Sequence, residues 1–179
     1  MVLTGSGLKH EIGRSIKISP FREGNLSGGS YDITLDGEFM KLKSEEMTII
    51  DPQSLNVVGE RTMGRDFVLQ PNNFVLGRCE EWIELNGKTL ALVSGKSSLA
   101  RLGLQVESAT ILHPGHNGYV ILEIKNNNSV PIRLVAGMKI AQLLFFRTSD
   151  PVELYAKSRK STFKTQRGIE LPDKLSFSD

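Results

Sequence analysis

Tyr31-Asp-Ile-Thr-Leu-Asp-Gly-Glu-Phe-Met-Lys-Leu42 alternates apolar and polar side chains on both sides of an Asp36-Gly37 pair. Period-two alternation marks a strand with one buried face, and Asp-Gly between two such runs predicts a tight hairpin. The plan returns downstream, where Trp82-Ile-Glu-Leu, Asn86-Gly87 and Thr89-Leu-Ala-Leu-Val predict a second hairpin. Phe74-Val-Leu-Gly follows the breaker Pro71-Asn-Asn, and further strands are predicted over 105–108, 119–125, 132–134 and 140–146. Turn clusters at His113-Pro-Gly-His-Asn-Gly, Asn126-Asn-Asn-Ser and Ala136-Gly separate them. Many short strands with such punctuation predict a mainly β sandwich or barrel. Two short helices interrupt it. Thr4 caps one that carries Leu8 and Ile12 and ends near Gly13, and Ser97-Ser-Leu-Ala-Arg-Leu fits one turn with serine as its cap.

The chain has 179 residues, 39% hydrophobic and 23% charged, which suits one soluble domain. Its net charge of +2 is too small for a protein that coats nucleic acid or a membrane surface. Cys79 is the single cysteine, so no internal disulfide forms. Met1-Val-Leu-Thr-Gly-Ser does not read as a signal peptide, and no stretch approaches the ~18 apolar residues of a membrane span. The expected location is the cytoplasm. From about Tyr155 the periodicity fades, predicting a β domain over 1–154 and a tail over 155–179. The tail carries Lys157, Arg159, Lys160, Lys164 and Arg167 with no acidic residue between them, which alone reads as a solvated segment.

Several familiar sites are missing. A zinc nucleobase deaminase needs His-x-Glu and Pro-Cys-x-x-Cys, and one cysteine with no His-x-Glu excludes that site. Gly95-Lys-Ser has Leu90 where a phosphate-binding P-loop needs glycine. No Gly-x-Ser-x-Gly elbow is present. His10, His113 and His116 show no ligand spacing and read as a helix-surface residue and two loop residues.

Two features remain. Gly95-Lys-Ser-Ser-Leu-Ala-Arg101 gathers two hydroxyls, two cations and several backbone N–H groups, a set that either cradles phosphate or forms a serine-capped turn facing solvent. Glu123 sits mid-strand: Val120, Leu122 and Ile124 share one face, Ile121 and Glu123 the other. It is either a partly buried proton carrier or an exposed sheet glutamate.

Read as a whole, the sequence resembles the dCTP deaminase branch of the dUTPase-like superfamily. The resemblance rests on Val2-Leu-Thr-Gly-Ser-Gly-Leu, Ile18-Ser-Pro-Phe, Gly29-Ser-Tyr-Asp-Ile-Thr-Leu, Pro71-Asn-Asn-Phe-Val-Leu-Gly, Glu80-Glu-Trp-Ile-Glu-Leu, Gly95-Lys-Ser-Ser-Leu-Ala-Arg-Leu-Gly-Leu, Pro114-Gly, Gly118-Tyr-Val-Ile-Leu-Glu and Gly137-Met-Lys-Ile-Ala-Gln-Leu. It implies a distorted β-barrel or jelly roll with one short N-terminal helix and few others, built as a homotrimer with sites between subunits and a C-terminal lid. It implies zinc-independent hydrolytic deamination of dCTP, or a closely related cytosine deoxynucleotide, to the uracil nucleotide and ammonia. Glu123 is the implied general acid/base, and Ser97 and Arg101 support the water and the base. Lys96, Ser98, Ala109, Thr110, Tyr155 and Gln166 are the implied substrate contacts, with Mg²⁺ held through the triphosphate. No nucleic-acid or membrane partner is implied.

Five positions depart from the family pattern. Lys96 replaces an arginine, losing a bidentate fork but keeping the charge. Thr110 replaces a polar residue, often histidine, near the base pocket, and Thr162-Phe163 replaces a frequent Lys-Tyr. His113 stands where the family and its dUTPase relatives have aspartate, which argues against dUTP hydrolysis. A dUTP diphosphatase, a bifunctional deaminase-diphosphatase and a non-catalytic nucleotide-binding regulator are the alternatives.

Overall fold

A computed structural model describes residues 1–51, 53–107, 111–152 and 165–172. Its strands are β1 (Ile16–Ser19), β2 (Tyr31–Leu42), β3 (Gly59–Met63), β4 (Asp66–Leu69), β5 (Phe74–Leu85), β6 (Thr89–Gly95), β7 (Leu104–Glu107), β8 (Ile111–Leu112), β9 (Asn117–Asn126), β10 (Ile132–Val135) and β11 (Lys139–Arg147). Helix α1 covers Gly5–Glu11 and α2 covers Ser97–Ala100. The class expected from the sequence holds: the chain is mainly β, in a curled half-barrel sheet. The sheet runs β7–β9–β5–β2–β11–β6–β8, with β1 added to β5 and β3 to β2, while β4 and β10 form a separate pair. Its curl brings Gly95 at the end of β6 against Val106 of β7.

The concave face is filled by alternate residues of the long strands. Tyr31, Ile33 and Leu35 of β2, Ile83 of β5, Leu122 and Ile124 of β9 and Phe145 of β11 are all sealed from solvent there. Each such side chain stabilises the fold by about 1.5–3 kcal/mol relative to exposure. Leu8 docks α1 onto the same core, as its helical spacing predicts.

Both predicted hairpins are overturned. Residues 31–42 form one continuous strand, and Asp36-Gly37 lies within it as an irregularity. Before that pair β2 runs beside β11 (Asp32 opposite Gln142), and after it beside β3 (Glu38 opposite Met63). Asp-Gly therefore serves a bulge at which the strand changes neighbour. A Cβ at position 37 would lie 2.7 Å from the Gly64 carbonyl oxygen, so the close chain approach requires glycine. Asn86-Gly87 does turn the chain, with Asn86 Oδ1 accepting from the Lys88 N–H and the Thr89 hydroxyl at 3.0 Å each. Yet β6 pairs with β11 and β8, not with β5. Both edges of β5 are already taken there, by β1 on one side and by β9 and the 113–116 turn on the other.

A buried carboxylate completes the β2–β5 junction. Glu81 is sealed from solvent and accepts from the Thr34 N–H at 2.9 Å and the Thr34 hydroxyl at 2.7 Å. Arg22 lies 3.6 Å from Glu81 and 2.6 Å from Glu80. Burial pushes the Glu81 carboxyl above its ordinary value, outweighing the donors of Thr34 that pull it down.

Candidate active site

The loop after β6 enters α2 with Lys96 in the cap position rather than Ser97, and no side chain caps the turn. Ser97, Ser98 and Arg101 are exposed, while Leu99 packs on the core. Ser97 and Arg101, four residues apart, share one face of the turn. Lys96 does not extend freely. Its Nζ lies 2.5 Å from Asp32 Oδ1, and Lys139 Nζ sits 3.3 Å from the other oxygen of that carboxylate. Asp32, Gln142 and Ser94 stand opposite one another on adjacent β2, β11 and β6, so the register sets the reach of this pair. The reading from sequence missed Asp32. The available signal was its place between Tyr31 and Ile33, which turns its side chain away from the core.

Glu123 lies on the other face of β9, beside Tyr119 and Ile121, half-buried with Oε2 hidden from solvent. Across the strands it stands opposite Leu76 of β5 and Glu107 of β7. This outer face has its own apolar cluster of Met40, Leu76 and Ile169, with Ile121 and Leu171 packed against it. Arg78 lies over the Tyr119 ring at 4.3 Å. The exposed-glutamate reading therefore fails: Glu123 is half-buried, on the face that also carries Leu76 and Ile121.

The loop and the glutamate occupy different faces of one ribbon. Val106, which touches Gly95, is paired with Ile124 on the core side, whereas Glu123 projects outward. Gln166 reaches β9 through its main chain, in a bridge with Gly118. Ala109, Thr110 and Tyr155 lie outside the described residues, as do Thr162 and Phe163.

His113 is exposed as expected, but His116 is not the exposed loop residue read from the sequence. It is half-buried with Nε2 3.2 Å from the Gly118 carbonyl oxygen, and burial lowers its pKa to about 4. A depressed imidazole leaves the unfolded chain binding more protons between that value and about 6.5, so stability falls as pH drops through this window. The loss is at most about 3 kcal/mol. Urea unfolding at pH 7 and pH 4.5 should show it, with a smaller pH dependence in His116→Gln. Cys79 is no nucleophile: burial pushes its thiol up to about 12, and it donates to the Glu81 carbonyl.

Among the described residues, no three of His, Cys, Asp or Glu converge as a metal-ligand set.

The curled β sheet has counterparts among solved structures. The 2'-deoxycytidine 5'-triphosphate deaminase from Agrobacterium tumefaciens superposes with a TM-score of 0.63 at 17% identity, over 83% of this chain and 46% of that one. A variant dUTPase from phage phi11 of S. aureus superposes with a TM-score of 0.52 at 14% identity, over 78% of this chain and 95% of that one. The protein thus has a dUTPase-like fold.

The profile of the dCTP deaminase-like family matches residues 2–148, and the chain belongs to that family. A "dCTP deaminase, dUMP-forming" of Beutenbergia cavernae is 39% identical over 159 residues, 86% of this chain and 83% of its own length. One of Leifsonia xyli is 37% identical over 177 residues, 94% and 88% respectively.

Proposed function

We propose that this protein hydrolyses the C4 amino group of dCTP, releasing ammonia and the uracil nucleotide, with Glu123 as general acid/base. The observation that carries this reading is the half-buried Glu123 carboxylate beside Leu76 and Ile121, in a chain of this family. Glu123 takes a proton from water as the oxygen attacks C4, and delivers it to the ring nitrogen next to the amino group. It then carries the second hydroxyl proton to the departing amine, so the C–N bond breaks as C4=O forms. Ser97 orients the water, and Arg101 stabilises the charge that develops on the base. Ser98 and Gln166 contact the triphosphate, as does Lys96 once it exchanges Asp32 for a phosphate oxygen. Ala109, Thr110 and Tyr155 complete the substrate contacts. Mg²⁺, when bound, neutralises phosphate charge.

The opposite facing of Glu123 and the Ser97–Arg101 turn supports a site shared between copies, and the homotrimer implied by the family resemblance is the assembly we propose. The division into a β domain over 1–154 and a tail over 155–179, together with a cytoplasmic location, belongs to the same reading. A panel of cytosine and uracil nucleotides, analysed by product mass, tests it. Ammonia and a uracil product from dCTP are expected, and no ammonia from any cytosine nucleotide overturns it.

The curated relatives named above are dUMP-forming, which favours a second step, cleavage of the phosphate chain. The exposed His113, standing at the family's aspartate position, disfavours it. His113→Asp is therefore expected to raise pyrophosphate release from dUTP at least about 10-fold, because a carboxylate offers a full negative charge and two acceptor oxygens to orient the attacking water. An unchanged rate would show that His113 is not the limitation.

A further inference from the structure

The described part of the C-terminal segment, 165–172, crosses the outer face of the sheet as a strap. It starts on β9, where the Tyr119 N–H donates to the Gln166 carbonyl at 2.9 Å. A Cβ at position 118 would lie 2.6 Å from that oxygen, so Gly118 makes the approach possible. Over β5, Arg78 Nη1 donates to the Arg167 carbonyl at 3.4 Å. Over β2, the Ile169 N–H donates to Glu38 Oε1 at 3.4 Å, and Ile169 is sealed among Met40, Leu76, Ile121 and Leu171. From β3, Arg61 Nη2 donates to the Ile169 carbonyl at 2.6 Å. Glu38, itself buried, draws in both arginines, Arg78 at 3.0 Å and Arg61 at 3.5 Å.

Four strands are crossed in sheet order, by two kinds of interaction. Apolar burial at Ile169 and charge-assisted bonds to strap carbonyls hold it independently. The strap also borders the candidate site, because Leu76 touches the Ile169 cluster and stands opposite Glu123.

We propose that Ile169 is a positioning residue that anchors the strap over its own chain, walling the Glu123 side of the face and holding Gln166 on β9 for the nucleotide. This rests on the assignment of the outer face of β9 as the nucleotide site. Trypsin reads the strap directly, since the Arg167–Gly168 bond lies inside it. In the full chain, Ile169→Ser and Gly118→Ala are each expected to speed cleavage there at least about 10-fold, because proteolysis follows the population of the open form. Ile169→Val should resemble wild type. Calorimetric titration with dCTP and Mg²⁺ should show affinity weakened at least about 10-fold in the first two variants and little changed in the third. Gly118→Ala carries the test if Ile169→Ser does not fold.

Equal cleavage of wild type and both variants overturns the strap. Unchanged dCTP affinity in a freely cleaved variant overturns its positioning role, as does a wild-type protein that binds no dCTP. Strap-dependent dCTP binding without ammonia release supports the strap while overturning the deaminase reading.

Discussion

Glu123→Gln is expected to lower ammonia release from dCTP by at least about 10³-fold, the upper range for loss of a general acid/base. The substitution keeps the volume that fills the space beside Leu76 and Ile121, so the half-buried site should neither collapse nor flood. What it removes is the capacity to accept a proton from water and return it to the base. The same group must act in both directions, so no neighbour acting once can replace it. Affinity for dCTP should stay within about 3-fold, because the triphosphate contacts are made elsewhere. Glu123→Asp keeps the chemistry but withdraws the carboxylate by one methylene, and an intermediate loss of about 10–100-fold is expected. A product-resolved ammonia assay with parallel calorimetry checks all three. Glu123→Gln retaining a tenth of wild-type turnover would remove Glu123 from the mechanism.

The parts legible in the sequence were those decided locally. Run 31–35 alternates because one face is buried along its length, so period two emerges without knowledge of the partner strand. Residues 119–125 and 140–146 are legible as apolar runs bounded by turn clusters. Turn chemistry was less decisive. Asp36-Gly37 has the composition of a hairpin turn, but what makes it a bulge is the exchange of β11 for β3 and the approach of Gly64, distant in sequence. Asn86-Gly87 turns the chain as its composition demands, yet no local rule could show that both edges of β5 were occupied.

The site follows the same division. The turn bearing Ser97 and Arg101 is local and was readable. The partial burial of Glu123 depends on neighbours remote in sequence, with Leu76 of β5 opposite it, so periodicity alone left it open. The Lys96–Asp32 pair spans 64 positions and left no pattern to find. Ile169 did leave a trace, an apolar residue in a polar tail, but only the packed outer face gives that residue something to bind. The outer face thus joins three features that are remote in sequence: the strand bearing the proposed proton carrier, an apolar cluster beside it and the strap that covers that cluster.

Glu81→Ala should lower the thermal midpoint by about 10 °C, through a loss of about 3–4 kcal/mol. The β2–β5 ladder begins at Leu35 opposite Cys79, so the Thr34 N–H takes its acceptor from the Glu81 side chain instead of a strand carbonyl. Truncation leaves that buried donor unsatisfied and opens a void at the junction, two costs that add. Glu81→Gln should lose much less, since its amide oxygen can accept from the Thr34 N–H while its nitrogen donates to the hydroxyl. The two substitutions also separate by pH. Burial raises the Glu81 carboxyl in the folded state, so the native protein holds that proton above the pH at which the unfolded chain releases it. Its stabilising effect is full below the ordinary carboxyl range and declines as pH rises through the raised value. Glutamine has no such titration. The deficit of Glu81→Gln relative to wild type should therefore be largest near pH 4.5 and shrink toward pH 7. Melting curves at matched protein concentration check this, and a deficit that grows toward neutral pH would mean that Glu81 is held by its partners more strongly than burial opposes it.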